Sequence, residues 1–288
     1  MSSLYDRADL YDAFESERKD KQTILHWQKI FENITVKSFL DVSIGTGSLT
    51  LPLAELGIEL FGSDLSQAML EKCSEKAKSR NVPIELIQSD FRNIAARFDR
   101  KFDCVASTGN SLPYVTNSEV LNVIEQMDLL VNENGYIYLD TRNWDKIMSE
   151  RSRFWTYNPA FIEDTRVNCV QLWDYNSDGS MDFNLLYSLE KNHIITEKHI
   201  FTEHYYPIKR SVITDKLIKL GYKNIRTMCM PAFVDYAVDF FHIGVIRIFQ
   251  NSRIKLARFT RTADNKTLTQ LHKSVTRNTR TLFEKLKV

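Results

Sequence analysis

Asp41-Val42-Ser43-Ile44-Gly45-Thr46-Gly47-Ser48-Leu49 is the stretch on which the reading of this chain turns. It closes a short apolar run, Ser38–Ile44, that reads as a first strand. Two glycines two residues apart let the backbone bend tightly and approach a ligand where a Cβ would clash. Nicotinamide enzymes place a glycine-rich turn at the same point, so the turn alone selects no ligand. The third glycine of a G-x-G-x-x-G pattern would fall at Thr50, which disfavours a pyrophosphate site here.

Working outward, further strands are predicted at Ile58–Ser63, Pro83–Gln88, Phe102–Ser107 and Tyr136–Asp140. Between them, Leu65, Ala68, Met69, Lys72 and Cys73 share one face at helical spacing, as do Val120, Leu121, Ile124 and Met127. Strand and helix in alternation predict right-handed crossovers and an α/β fold whose parallel sheet is covered on both faces. After Asp140 the pattern changes. Residues Ala160 to Tyr206 read as extended, with Asn176-Ser177-Asp178-Gly179 as a hairpin turn. Thr214–Leu220 reads as a helix closed by Gly221, followed by strands around Asn224–Met230 and Phe240–Phe249. The middle portion is therefore expected as an antiparallel β insert over the mouth of the parallel sheet.

Composition narrows the class. The 288 residues are 43% hydrophobic and 26% charged, with a net charge of +1, as in ordinary globular proteins. Cys73, Cys104, Cys169 and Cys229 lie far apart with no C-x-x-C pair, which points away from a zinc site or a disulfide framework. No metal is expected. The N-terminus lacks an apolar signal core, and no apolar run approaches the ~18 residues of a membrane span. A soluble cytoplasmic protein with no membrane partner is the expectation. From Asn251 onward ten basic residues face only Asp264 and Glu284, a net +8 that leaves −7 on the rest. Such a tail suits a nucleic-acid arm. Leu268, Leu271, Val275, Leu282 and Phe283 interleave with the charges and favour a helix packed on the acidic body or on a second copy in a homo-oligomer.

Two acidic positions complete the cofactor pattern. Asp64 ends the second strand, 17 residues after Gly47, where a carboxylate accepts both ribose hydroxyl protons of a nucleoside. Asp90-Phe91 follows the third strand, an acceptor and an aromatic face where an adenine would lie. The runs LDVSIGTGSL, GSDLSQAML, SDFRNI, FDCVASTGNSLPYV and GYIYLDTRNWD together resemble a class I S-adenosylmethionine-dependent methyltransferase. More narrowly, the chain is similar to the glycine N-methyltransferase family and its glycine/sarcosine relatives, over roughly residues 5 to 250.

That resemblance implies a Rossmann-like, doubly wound, seven-stranded sheet, mostly parallel with the last strand antiparallel. It implies S-adenosylmethionine as cofactor and S-adenosylhomocysteine as product. Asp64 would meet the ribose, Asp90 and Phe91 the adenine, and Ser43, Gly45 and Gly47 the methionine moiety, with Leu65, Met69 and Thr108 completing the contacts. An N-terminal arm would bring Arg18 to the cofactor carboxylate, with Arg7 as its rival, and Tyr11 beside it. On the acceptor side Arg142 would grip a substrate carboxylate, the Asn110 amide oxygen would orient the amine, and Tyr206 would line the pocket. Trp155 or Tyr157 would add a further aromatic wall.

The expected division is an arm at 1–37, a cofactor-binding core at 38–150, an insert forming a substrate lid at 151–207, the end of the core sheet at 208–250 and a basic helical tail at 251–288. The implied activity is direct in-line methyl transfer to the nitrogen of a small amine, an amino acid first among them. Departures are Tyr114, where glycine methyltransferases carry histidine, the divergent insert beyond Arg151, and the tail. A nucleic-acid methyltransferase and a cofactor-binding regulatory module are the alternatives at this point.

Overall fold

The computed structural model describes residues 4–13, 17–229 and 240–245. The basic tail and the side chains of Arg18 and His242 lie outside the described residues. In chain order the elements begin with α1 (Ala8–Asp12), α2 (Glu17–Ile30), β1 (Ser38–Asp41), β2 (Glu59–Asp64), α3 (Gln67–Ser79) and β3 (Ile84–Gln88). Next come β4 (Phe102–Ser107), α4 (Asn117–Leu130), β5 (Val131–Arg142) and α5 (Trp144–Glu150). The insert holds β6 (Phe154–Thr156), β7 (Ala160–Ile162), β8 (Thr165–Tyr175), β9 (Met181–Lys191) and β10 (Ile194–Tyr205), and α6 (Arg210–Lys219), β11 (Ile225–Cys229) and β12 (Phe240–Val245) follow.

Among the described residues the main sheet runs β11-β12-β5-β4-β1-β2-β3. Strands β3, β2, β1, β4 and β5 are parallel, whereas β12 is antiparallel to β5 and β11 to β12. Neighbouring residues on one strand feed opposite layers, as a pleat of period two requires. Leu40, Val105, Ile137 and Leu139 pack with Val120, Val123, Ile124 and Met127 of α4. Phe39, Leu60, Cys104, Ala106 and Tyr138 pack with Trp27 and Ile30 of α2. Both faces are thus apolar, and each buried large side chain contributes about 1.5–3 kcal/mol. The order reverses between β1 and β4, the switch point at which an open α/β sheet offers a crevice beyond its strand ends.

The insert is a separate antiparallel sheet, β10-β9-β8-β6, with β7 on β8. Its hairpin turns at Asn176–Ser180, where the left-handed Gly179 donates its N–H to the Asn176 carbonyl. One face buries Val167, Trp173, Phe183 and Phe201 in the same core cluster as Leu40. No described helix is long and apolar enough to cross a membrane.

Several boundaries differ from expectation. Strand β1 stops at Asp41 because Ser43 N–H turns back to the Asp41 carboxylate at 3.1 Å. Helix α6 begins at Arg210 rather than Thr214, and its cap is Leu220, with Gly221 the left-handed residue beyond it. Leu65 does not join the buried face of α3: it precedes the helix and is 67% exposed.

Trp27 ties this layer to the glycine-rich turn. Its ring lies 4.6 Å from Tyr138 and 5.3 Å from Phe39, and its indole N–H donates to the Leu49 carbonyl at 2.7 Å. Replacing Trp27 by Ala is expected to cost about 3–5 kcal/mol in urea unfolding. Trp27→Phe, which keeps most of the packing and loses the hydrogen bond, is expected to cost roughly 1–2 kcal/mol.

Candidate active site

At the switch point the chain leaves β1 and β4 side by side, and one carboxylate organises both ends. Asp41 is fully buried. It accepts the Thr50 hydroxyl at 2.6 Å, the Thr108 hydroxyl at 2.7 Å and the Ser43 N–H at 3.1 Å. The Ser43 hydroxyl bridges to Ser107 at 3.0 Å and to the Thr108 carbonyl at 3.2 Å. Thr108, expected at the cofactor, thus turns its hydroxyl inward to Asp41. The organising role of Asp41 was missed in the sequence, although an acid followed by hydroxyl residues at a strand end was the available signal.

The two motif glycines serve different ends. At Gly47, φ is +81° and an added Cβ would lie 2.7 Å from the Cys73 sulfur. Gly45, at φ +55°, faces open space, as does Gly109 at the end of β4. This open cradle lies where a cofactor's backbone contacts are expected. Its floor is Asp64, whose Oδ2 accepts Gly45 N–H at 2.8 Å and whose Oδ1 accepts Ser66 N–H at 2.9 Å. The carboxylate keeps acceptor capacity beside these bonds and is only partly buried, which suits it to a vicinal diol. Burial pushes the Asp64 carboxyl up, against the N–H bonds that lower it.

The remaining expected cofactor residues are spread more widely. Asp90 forms a fork with Arg92, with Nε to both oxygens at 3.0 Å and Nη2 to Oδ2 at 2.6 Å. Arg92 continues to Glu119, which closes the capping box of α4. Arg92, unremarked in the sequence, therefore fixes the Asp90 carboxylate. Phe91 is half-buried against the core. Met69 is fully buried, unlike Leu65. Tyr11 is exposed, 6.3 Å from the Tyr5 ring. Arg7, the rival to Arg18, is forked onto Asp9 at 2.8 Å and touches His199 at 3.4 Å.

Asn110 and Arg142, 32 residues apart, meet at the ends of β4 and β5. Asn110 sits at φ +62°, a left-handed conformation that Asn tolerates. Its Oδ1 accepts the Arg142 backbone N–H at 2.9 Å and the Thr141 hydroxyl at 3.2 Å. A backbone N–H can only donate, so the amide orientation is decided and its NH2 is left to the Tyr205 hydroxyl. Without a substrate, both lone pairs of that oxygen, expected at an amine, are engaged within the protein.

The Arg142 guanidinium, on a residue 9% exposed, stacks among rings of the insert. Its carbon lies 4.5 Å from the Phe183 centroid, 5.3 Å from Trp173 and 6.0 Å from Tyr205. Aromatic faces hold the plane of the guanidinium and leave its edge as the hydrogen-bonding surface. Trp155 extends this wall, 5.0 Å from Trp173, while Tyr157 bonds to Gln171.

The tyrosine at this point is Tyr205, not Tyr206. Tyr205 is buried, its hydroxyl is 2.9 Å from that of Tyr114, and Tyr114 in turn meets Tyr5 edge to face at 5.7 Å. Tyr206 meets the exposed His204 edge to face at 4.9 Å. Residues one apart on an extended chain face opposite ways, and the register Tyr205↔Met181 turns Tyr205 to the core. Burial pushes the hydroxyls of Tyr114 and Tyr205 up, so both stay protonated at neutral pH. Among the described residues no cluster of His, Cys, Asp or Glu is placed to hold a metal ion.

Burial also pushes the Asp41 carboxyl up, from 3.8 to about 6. Unfolded, the group releases its proton near the lower value; folded, it keeps it to the higher one. Stability is therefore full below the lower value and falls as pH rises through the window. Relative to Asp41→Asn, the unfolding free energy of the native protein is expected to drop by up to roughly 3 kcal/mol between about pH 4 and 6.5. A flat difference across that window overturns the assignment.

Comparison with known proteins follows the same outline. Residues 39–135 match the family model described as a methyltransferase domain. The protein YqeM of Bacillus subtilis (strain 168), itself named only provisionally as a methyltransferase, is 33% identical over 143 residues, 49% of this chain and 56% of that protein. The glycine/sarcosine N-methyltransferase of Aphanothece halophytica is 24% identical over 192 residues, 66% of this chain and 68% of that protein. The chain thus spans little more than half the length of the first relative and about two thirds of the second. A crystal structure of an S-adenosylmethionine-dependent methyltransferase from Clostridium acetobutylicum ATCC 824 superposes with a TM-score of 0.65 at 15% identity, covering 85% of this chain and 98% of that one. Residues 39–135 therefore match a methyltransferase domain, in a chain that shares the fold of that S-adenosylmethionine-dependent methyltransferase structure.

Proposed function

We propose that the chain is an N-methyltransferase for a small amine-bearing metabolite, an amino acid of the glycine or sarcosine kind first among them. The observation that carries this reading is the meeting of Asn110 and Arg142 at one buried point, with the guanidinium held flat among Phe183, Trp173 and Tyr205. S-adenosylmethionine, when bound, supplies an electrophilic methyl on a sulfonium. The Gly45 and Gly47 turn would cradle its methionine part, Asp64 its ribose diol, and Asp90 with Phe91 its adenine, with Tyr11 and Arg18 closing from the N-terminal side.

An in-line displacement asks little of acids and bases once the amine is neutral. What it needs is two partners held at reacting distance in a dry pocket, an effect worth up to ~7–11 kcal/mol. Arg142 offers in-plane N–H groups to a substrate carboxylate, and a bidentate grip fixes both its position and its direction. Tyr205, oriented by Asn110 and Tyr114, lines the same point with a neutral hydroxyl. The insert, as a lid, brings Trp173 and Phe183 and excludes water.

The test is a cofactor-dependent assay with labelled methyl donor against glycine, sarcosine, larger amino acids and amino sugars, with mass spectrometry of the product. A carboxylate-bearing amine is expected to accept the label. Arg142→Ala is expected to lower kcat/KM for it by roughly 10- to 150-fold, while S-adenosylhomocysteine affinity measured by calorimetry stays within about twofold. Failure of every amine, together with an Arg142→Ala variant that behaves as the native protein, overturns the reading.

The two neighbouring tyrosines separate in the same assay. Tyr205→Phe is expected to lower kcat/KM by about tenfold. Tyr206→Phe, on the outward face, is expected to change it by less than about twofold.

A further inference from the structure

Lys76 stands on α3, outside every cofactor motif, yet its ammonium is nearly dry. It pairs with Asp12 Oδ2 at 2.8 Å, the two side chains being 14% and 12% exposed. It also donates to the Thr46 hydroxyl at 3.0 Å and the Ser48 hydroxyl at 3.1 Å. Thr46 in turn donates to Asp12 Oδ1 at 2.7 Å. The ammonium thus has two hydroxyl partners and one carboxylate partner, while Asp12 Oδ1 takes the Thr46 hydroxyl and Oδ2 is held by the ion pair alone. The added hydroxyls help offset the desolvation of a pair so little exposed.

Three segments far apart in sequence meet here. Asp12 ends α1, one residue after Tyr11. Thr46 sits between the two motif glycines, next to Gly45, whose N–H is held by Asp64. One turn on, at the C-cap of α3, Arg80 reaches Asp20 of α2 at 3.1 Å, with both side chains about one third exposed. A basic edge of α3 therefore grips both N-terminal helices, through a dry inner pair and a wetter outer one. Exposed pairs hold weakly, so the inner pair carries the attachment.

We propose that Lys76 is a positioning residue for cofactor capture: through Asp12 and Thr46 it clasps the N-terminal segment onto the glycine-rich turn, and this clasp governs how long the cofactor stays bound. The proposal rests on the cofactor of the methyltransferase domain and is independent of the methyl acceptor.

The test uses the full chain with S-adenosylhomocysteine as probe, measuring Kd by calorimetry and the dissociation rate by stopped flow. Lys76→Met and Asp12→Asn are each expected to raise Kd and the dissociation rate at least about fivefold. The double variant is expected to be no worse than the weaker single, because both changes open one contact. In turnover, the cofactor KM is expected to rise by more than kcat falls, and Lys76→Arg to restore part of the affinity. Thr46→Val keeps the ion pair and cuts its tie to the turn; it is expected to shift Kd in the same direction and keeps the test open should Lys76→Met not fold. Unchanged affinity and dissociation in folded variants, or additive losses in the double variant, overturn the proposal.

Discussion

The carboxylate of Asp41, buried where the strand order reverses, draws the Thr50 and Thr108 hydroxyls and the Ser43 N–H onto itself. Those bonds, with the Ser43 hydroxyl on Ser107 and the Thr108 carbonyl, join the ends of β1 and β4 beyond their short ladder. A desolvated charge so placed is costly unless fully hydrogen-bonded. The cost makes the arrangement specific, since any slip of either strand end would strip a donor from it. The glycine-rich turn leaves β1 from this anchor, and Gly109 and Asn110 leave β4 from it, so both halves of the site inherit their positions from one group.

The two halves are then built differently. The half proposed for the cofactor is largely backbone and carboxylate, a turn with open space beside Gly45 and the Asp64 oxygens below it. The half proposed for the acceptor is largely side chain: Arg142 comes from the core sheet, whereas the rings around it come from β8, β9 and β10 of the insert. The N-terminal segment touches both halves, through Asp12 at the turn and through Tyr5 beside Tyr114.

Much of the core was legible from residue order alone. The alternation of apolar runs with helical stripes is a local property, and it led to a parallel sheet covered on both faces. The left-handed conformations of Gly45, Gly47 and Asn110 are equally local, because few residue types tolerate them. The acids after β2 and β3 were visible for the same reason, standing at strand ends where the crevice of such a sheet opens.

Other features had no local signature. Tyr205 and Tyr206 are chemically alike, and only the pairing of β10 with β9 decides which faces the core. The Asn110 oxygen became a structural acceptor because β5 delivers the Arg142 N–H beside it, and Thr108 turned inward because Asp41 lies across a strand boundary. The Lys76–Asp12 pair joins residues 64 positions apart that nothing in the spacing relates. The sequence by itself thus determined the layers, the turn and the acidic positions, since periodicity and backbone preference act within a few residues. Only the tertiary structure decided which polar atoms are already engaged and which aromatic faces the pocket, because hydrogen-bond partners and strand register are set by segments that meet in space.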